Sequence, residues 1–270
     1  MKQPLRMINA EVTTPSKDWV PVLRGRLSII SVVLVIVSLS PPVWGWSFRY
    51  GFVQAIQFCV LGFGAPTLFV AGAPWLGRRE RDGSSILRAQ RSWCQRWNSR
   101  RVREKAQLRT LLAGASVVTS TLVWRAAPPV NALVHHHWLL LVEAVTLFVP
   151  MVFLMVEVIE SPPFTPGISR PYRIGVSAVV MWSAWVVAYL AGMSHDSWYT
   201  SFHHATGQGI SATADQQLSA GFVWLLTASV FVPIVFWNLA HWLQSEEDPN
   251  EDIVKLFRQE REHGFFGSAN

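Results

Sequence analysis

Long apolar runs separated by short polar and charged segments set the pattern of this chain, with little of the three-to-four-residue alternation that marks a soluble amphipathic helix. A bilayer core of about 30 Å needs roughly 20 apolar residues of helix. Six stretches meet that length: Leu27–Val43, Tyr50–Leu76, Leu108–Trp124, His137–Ile159, Ile174–Met193 and Leu218–Trp242. The pattern therefore predicts an all-α fold, a polytopic membrane helix bundle of about six transmembrane helices. Residues 1–26 read as an N-terminal tail, 27–243 as the transmembrane domain with a basic loop at 78–107, and 244–270 as a C-terminal tail. Gly62, Gly64, Pro66 and Pro74 predict a kink or a locally open turn in the second span, and Pro150 and Pro233 predict bends in the fourth and sixth. A broken helix exposing carbonyls to a site is the alternative to these kinks.

Composition agrees: 50% of the residues are hydrophobic and 15% charged, too few for a soluble surface. The 14 Trp residues suit the membrane–water boundary, because an indole is apolar in body and polar at its N–H. Two Cys residues, Cys59 in an apolar run and Cys94 in a basic one, exclude a disulfide framework and any CxxC metal carrier.

The net charge of +6 follows topology rather than nucleic acid. Five basic residues precede position 27, eleven lie in 78–109, two in 161–173 and three after 243, leaving Arg49 and Arg125 for the opposite side. The excess places both termini in the cytoplasm, N-in and C-in, and the expected location is a plasma (inner) membrane. The first span, preceded by Lys17, Arg24 and Arg26, reads as an anchor and not a signal peptide, since Ser40-Pro41-Pro42 is a poor cleavage site. Ser84 and Ser85 can cap a surface helix carrying Ile86, Trp93 and Trp97 against anionic lipid or an acidic partner; a solvated loop is the simpler alternative. The acidic stretch from Glu246 to Asp252 reads as a solvated end.

Candidate chemistry collects at the outer ends of the second, fourth and sixth spans. Gln54, Gln57, Glu143 and Asp215-Gln216-Gln217 form a predicted polar intramembrane cluster. A carboxylate within a span costs about 2.5–3.5 kcal/mol on insertion scales, so Glu143 should face protein, water or a ligand. A structural hydrogen bond to another helix is the competing role. Glu157, fourteen residues on, sits close enough to the inner boundary to reach headgroups. Six of the eight histidines, His135, His136, His137, His195, His203 and His204, fall in the outer connections. They are candidate copper ligands if those connections meet, with Met193 as a thioether donor, although wet interfacial histidines are the plainer alternative.

Three patches resemble the CtaG-type cytochrome c oxidase assembly proteins. They are GAPTLFVAGAP at Gly64–Pro74, Glu143 in the fourth span, and Asp215-Gln216-Gln217-Leu218 with Trp224, followed by His241-Trp242-Leu243 and Glu246-Glu247. The resemblance covers about residues 50 to 248. It implies a similar bundle and a role in building a haem–copper oxidase or supplying its copper. Where family members usually carry histidines ahead of the first Pro, this chain has Gln54 and Phe58. The HxxEH pattern around the glutamate is Leu140, Leu141, Val142, Glu143, Ala144, and Val223 stands where a Met is usual. The resemblance thus implies a divergent member whose interior lacks the family's usual imidazole and thioether positions.

The expected function is an integral membrane factor for assembly or stabilisation of a haem–copper oxidase. It would bind an oxidase subunit or other assembly proteins within the lipid bilayer and assist copper delivery at the outer face. The alternative is a small-ion or solute transporter with a vestibule centred on Glu143. No nucleophile–base pair, di-iron His box or phosphate loop is present, so the chain is not expected to be an enzyme.

Overall fold

The computed structural model describes residues 19–76, 105–162, 164, 166–205 and 209–246; Cys94, the Ser84 to Trp97 segment and the tail beyond Glu246 lie outside them. Helices dominate: α1 Trp19–Ser38, α2 Pro41–Ser47, α3 Gly51–Cys59, α4 Ala65–Gly72, α5 Ala106–Arg125, α6 Ala127–His135, α7 Leu139–Val158, α8 Arg170–Met193 and α9 Ala212–Glu246. No named strand occurs among the described residues.

Four helical spans are long and apolar enough to cross a membrane: Gly51–Gly72, Leu139–Val158, Arg170–Met193 and Ala212–Gln244. Two bent pairs, Leu23–Ser38 with Pro41–Ser47 (60°) and Ala106–Arg125 with Ala127–His135 (65°), bring the number to six if each pair is one span. The chain is a polytopic all-α membrane bundle. The first expected span, Leu27–Val43, is corrected by the bend: helix α1 starts earlier and stops at Ser38. Pro41 and Pro42 cannot continue its hydrogen-bond ladder and instead open the short helix α2. Pro128 and Pro129 do the same at the start of α6. By contrast α7 and α9 continue through Pro150 and Pro233.

Between α3 and α4 the second span widens into a π turn over Val60–Gly64, closed by the Ala65 N–H donating to the Val60 carbonyl. Pro66 offers no N–H to the preceding turn, and a wider turn is how a helix absorbs that loss without breaking. This span is also the centre of the bundle, 61% buried against 28–44% for the other three. Phe58 and Phe63 meet edge to face at 5.7 Å, and Phe63 meets Phe231 of α9 at 5.9 Å. Helix α1 lies against α4, where Ser31 Oγ donates to the Ala65 carbonyl at 2.7 Å. Helix α9 packs along α8 and α3, and α5 packs on α7 and α8.

The end that the charge distribution assigns to the cytoplasm is tied by ion pairs. Glu157 is buried and bound to Arg109 at 3.1 Å, so it does not reach outward to headgroups as expected. Glu160 holds Arg170 and Arg173, each at 3.2 Å. Ser161 Oγ donates to the Val70 carbonyl and Trp75 Nε1 to the Pro162 carbonyl, both at 2.6 Å, which fixes the α7–α8 connection under α4.

Candidate functional site

Helices α3, α5 and α7 bring three polar side chains together near the outer end of the bundle. Gln54, one turn into α3, donates through Nε2 to Glu143 Oε1 at 3.2 Å and accepts from Arg125 Nη1 at 2.8 Å. An amide carries both a donor and an acceptor, so Gln54 bridges a cation and an anion in one line. Gln54, Arg125 and Glu143 are 3%, 3% and 0% exposed. Arg125 also donates through Nη2 to Tyr199 Oη at 3.2 Å, and the Tyr199 hydroxyl donates to the Arg125 carbonyl at 3.1 Å. Its guanidinium carbon lies 5.5 Å from the Phe58 ring centroid and 5.4 Å from that of Tyr199.

This geometry places a guanidinium and a carboxyl group together in an apolar core. The guanidinium acts electrostatically on the Glu143 carboxylate, Gln54 transmits a hydrogen bond between them, and two aromatic faces take part of the remaining positive charge. Among the described residues Glu143 Oε2 has no hydrogen-bond partner. Cys59, a free and buried thiol, lies within reach of Thr227 and in the field of both charges.

Arg125 and Tyr199 were not among the residues singled out from the sequence. Arg125 was counted with the outer basic residues because it ends an apolar run. The bend at Ala126 instead turns the chain into α6 and leaves the arginine pointing inward. The signal was its isolation: a single Arg closing a span just before Ala126-Ala127-Pro128-Pro129. Tyr199 had no signal beyond its place in the histidine-rich connection.

The other members of the predicted cluster do separate jobs. Gln57 turns away from Glu143 and donates to the Ser38 carbonyl at 2.6 Å, which ties the end of α1 to α3. Asp215 accepts from the Gly51 and Phe52 N–H groups at 2.7 and 3.0 Å, capping the free donors at the start of α3. A side chain at Gly51 would sit 3.0 Å from that carboxylate, so the glycine is what lets the cap approach. Gln216 donates to the Ala191 carbonyl at 2.7 Å and accepts from the Trp198 N–H at 2.7 Å, holding the α8–α9 connection. Asp215-Gln216-Gln217 lie inside the first turns of α9 and not before it, and Gln217 is exposed, outside any cluster.

The two outer connections do meet. The Ser201 N–H donates to Asn131 Oδ1 at 3.1 Å, and Tyr199 and Phe202 pack with Val130. His135, His136, His137 and His195 are exposed, His137 being stacked on Phe48 at 4.6 Å and 10°. The side chains of His203 and His204 lie outside the described residues. Among the described residues no three His, Cys, Asp or Glu side chains converge on one point. The Arg125–Gln54–Glu143 line itself offers an amide and a carboxyl group beside a guanidinium, a set that does not suit a soft Cu(I) ion.

No curated protein and no solved structure matches the chain. The family model for the cytochrome c oxidase caa3 assembly factors matches residues 7–245. That match spans every helix of the described residues, including those that carry the Arg125–Gln54–Glu143 line, save the last residue of α9, and the chain belongs to the caa3-type cytochrome c oxidase assembly factor family.

Proposed function

We propose that this protein is a non-catalytic factor of the plasma (inner) membrane that helps assemble or stabilise a haem–copper cytochrome c oxidase, binding an oxidase subunit through its helices. The family match over residues 7–245 carries the reading. A bundle whose lipid-facing helix surfaces are broad and apolar is physically suited to it, since membrane helices associate by close packing and hydrogen bonds within the bilayer. Deleting the gene is expected to lower assembled oxidase in the membrane while the oxidase transcripts stay level; unchanged oxidase content would sink the proposal.

Within that role the protein assists copper delivery at the outer face, with copper as cargo and not as a resident cofactor. The support is the joining of the two histidine-bearing connections through Asn131 and Ser201, together with the exposed imidazoles of His135 and His136. Titrating Cu(I) against a chromogenic chelator should show binding by the purified protein. Changing His135, His136, His137, His203 and His204 to Ala should abolish it. A wild-type protein that cannot compete for Cu(I) would remove copper delivery and leave the assembly role standing. Glu143 is fully enclosed, which lends the transport alternative no support.

A further inference from the structure

Among the described residues, most exposed tryptophans sit where an indole is at home. Trp46, Trp138 and Trp198 lie in or beside the outer connections, and Trp237 lies seven residues, about 10 Å, from the inner end of the last span. Trp182, Trp185 and Trp224 break the pattern. Trp182 stands twelve residues after Arg170 and eleven before Met193, hence roughly 16–18 Å from either end of α8 and at the middle of a core about 30 Å thick. Its ring meets Trp185 at 5.5 Å and 61°, and Trp185 meets Trp224 of α9 at 4.9 Å.

Only one of the three N–H groups has an acceptor among the described residues: Trp185 Nε1 donates to the Trp224 carbonyl at 3.2 Å. Trp182 and Trp224 are 58% and 52% exposed, and their indole N–H groups have no acceptor among the described residues at a depth where lipid tails offer none. Beside them Gly221 leaves open space, with no atom within 4 Å of where a Cβ would stand. On α8 the exposed positions Val179, Trp182 and Val186 continue the face.

We propose that this face of α8 and α9 docks a transmembrane helix of the oxidase subunit under assembly, one that presents a hydroxyl or free carbonyl acceptor at mid-depth. The inference rests on the assembly reading above. Hydrogen-bond complementarity selects the occupant. Lipid supplies no acceptor, and a second copy related by a two-fold axis would set the same indole donors against each other.

Photocrosslinking in native membranes tests it, with p-benzoylphenylalanine at Val186, which leaves the indoles in place, and a control probe at Leu141 on exposed α7. The expected product joins Val186 to a membrane-embedded oxidase subunit identified by mass spectrometry, with none from Leu141. Changing both Trp182 and Trp224 to Phe, which keeps the rings and removes the donors, should cut the yield about fivefold. Changing both to Leu should cut it by tenfold or more. Adducts with lipid alone, or with a second copy of this chain, would overturn the docking surface even if gene deletion lowers oxidase. A crosslink to a helix of a different membrane protein would keep the surface, and would overturn the oxidase as its occupant.

Discussion

Replacing Arg125 with Met should destabilise the detergent-solubilised protein by about 3–5 kcal/mol, because the Glu143 carboxylate then loses the cation that justifies its burial. The Gln54 amide would keep one hydrogen bond to Glu143, yet intramembrane hydrogen bonds contribute only about 0.6–1.7 kcal/mol and cannot offset an uncompensated charge. Tyr199 would lose the guanidinium that donates to it and keep only its bond to the backbone carbonyl of residue 125, which should loosen the outer connection it anchors. The control is the double change Arg125→Met with Glu143→Leu. Removing both charges eliminates two desolvation penalties together, so the double variant should recover most of the loss. Reversible unfolding in mixed micelles gives the comparison. If the double variant is as unstable as Arg125→Met, the two residues act independently and the line through Gln54 is not an ionic unit.

Gly72→Val should be nearly as damaging, for a steric reason. A Cβ at Gly72 would overlap Ser28 and stand 2.9 Å from the Arg24 carbonyl, so the contact is with backbone and no side-chain rotation can relieve it. Helix α1 would have to move off α4, breaking the nearby bond from Ser31 to the Ala65 carbonyl. A loss of about 1–3 kcal/mol is expected from overpacking alone. Gly25→Val is the matched control, because no atom lies within 4 Å of its Cβ position, and it should leave the melting temperature close to wild type. Equal destabilisation by both changes would mean that β-branching in the helix, and not the α1–α4 contact, is responsible.

Much of this protein was legible before its structure. The four helices long and apolar enough to cross a membrane stand within a few residues of their apolar runs, and the buried Glu143 was marked by its cost in lipid. Even the three-patch resemblance to the oxidase assembly proteins agrees with the family match. What the apolar runs concealed were the bends at Leu39-Ser40 and at Ala126, since both sides of each break are apolar and a window of hydropathy averages across them. The site was half legible. The structure joins Gln54 to Glu143 by a hydrogen bond, whereas Gln57, Asp215 and Gln216, at the same membrane level, bond elsewhere.

The difference has one physical cause. Transfer into a bilayer is governed by the local sum of side-chain hydrophobicities, so the sequence by itself determined that the chain crosses the membrane, roughly where, and which polar residues must be sheltered. Which sheltered groups meet depends on the rotation of each helix about its axis and on contacts between residues as far apart as Gly51 and Asp215. A uniformly apolar helix leaves that rotation unmarked. Only the tertiary structure decided that Arg125 turns inward to balance Glu143, that Asp215 caps α3, and that Gln217 faces away.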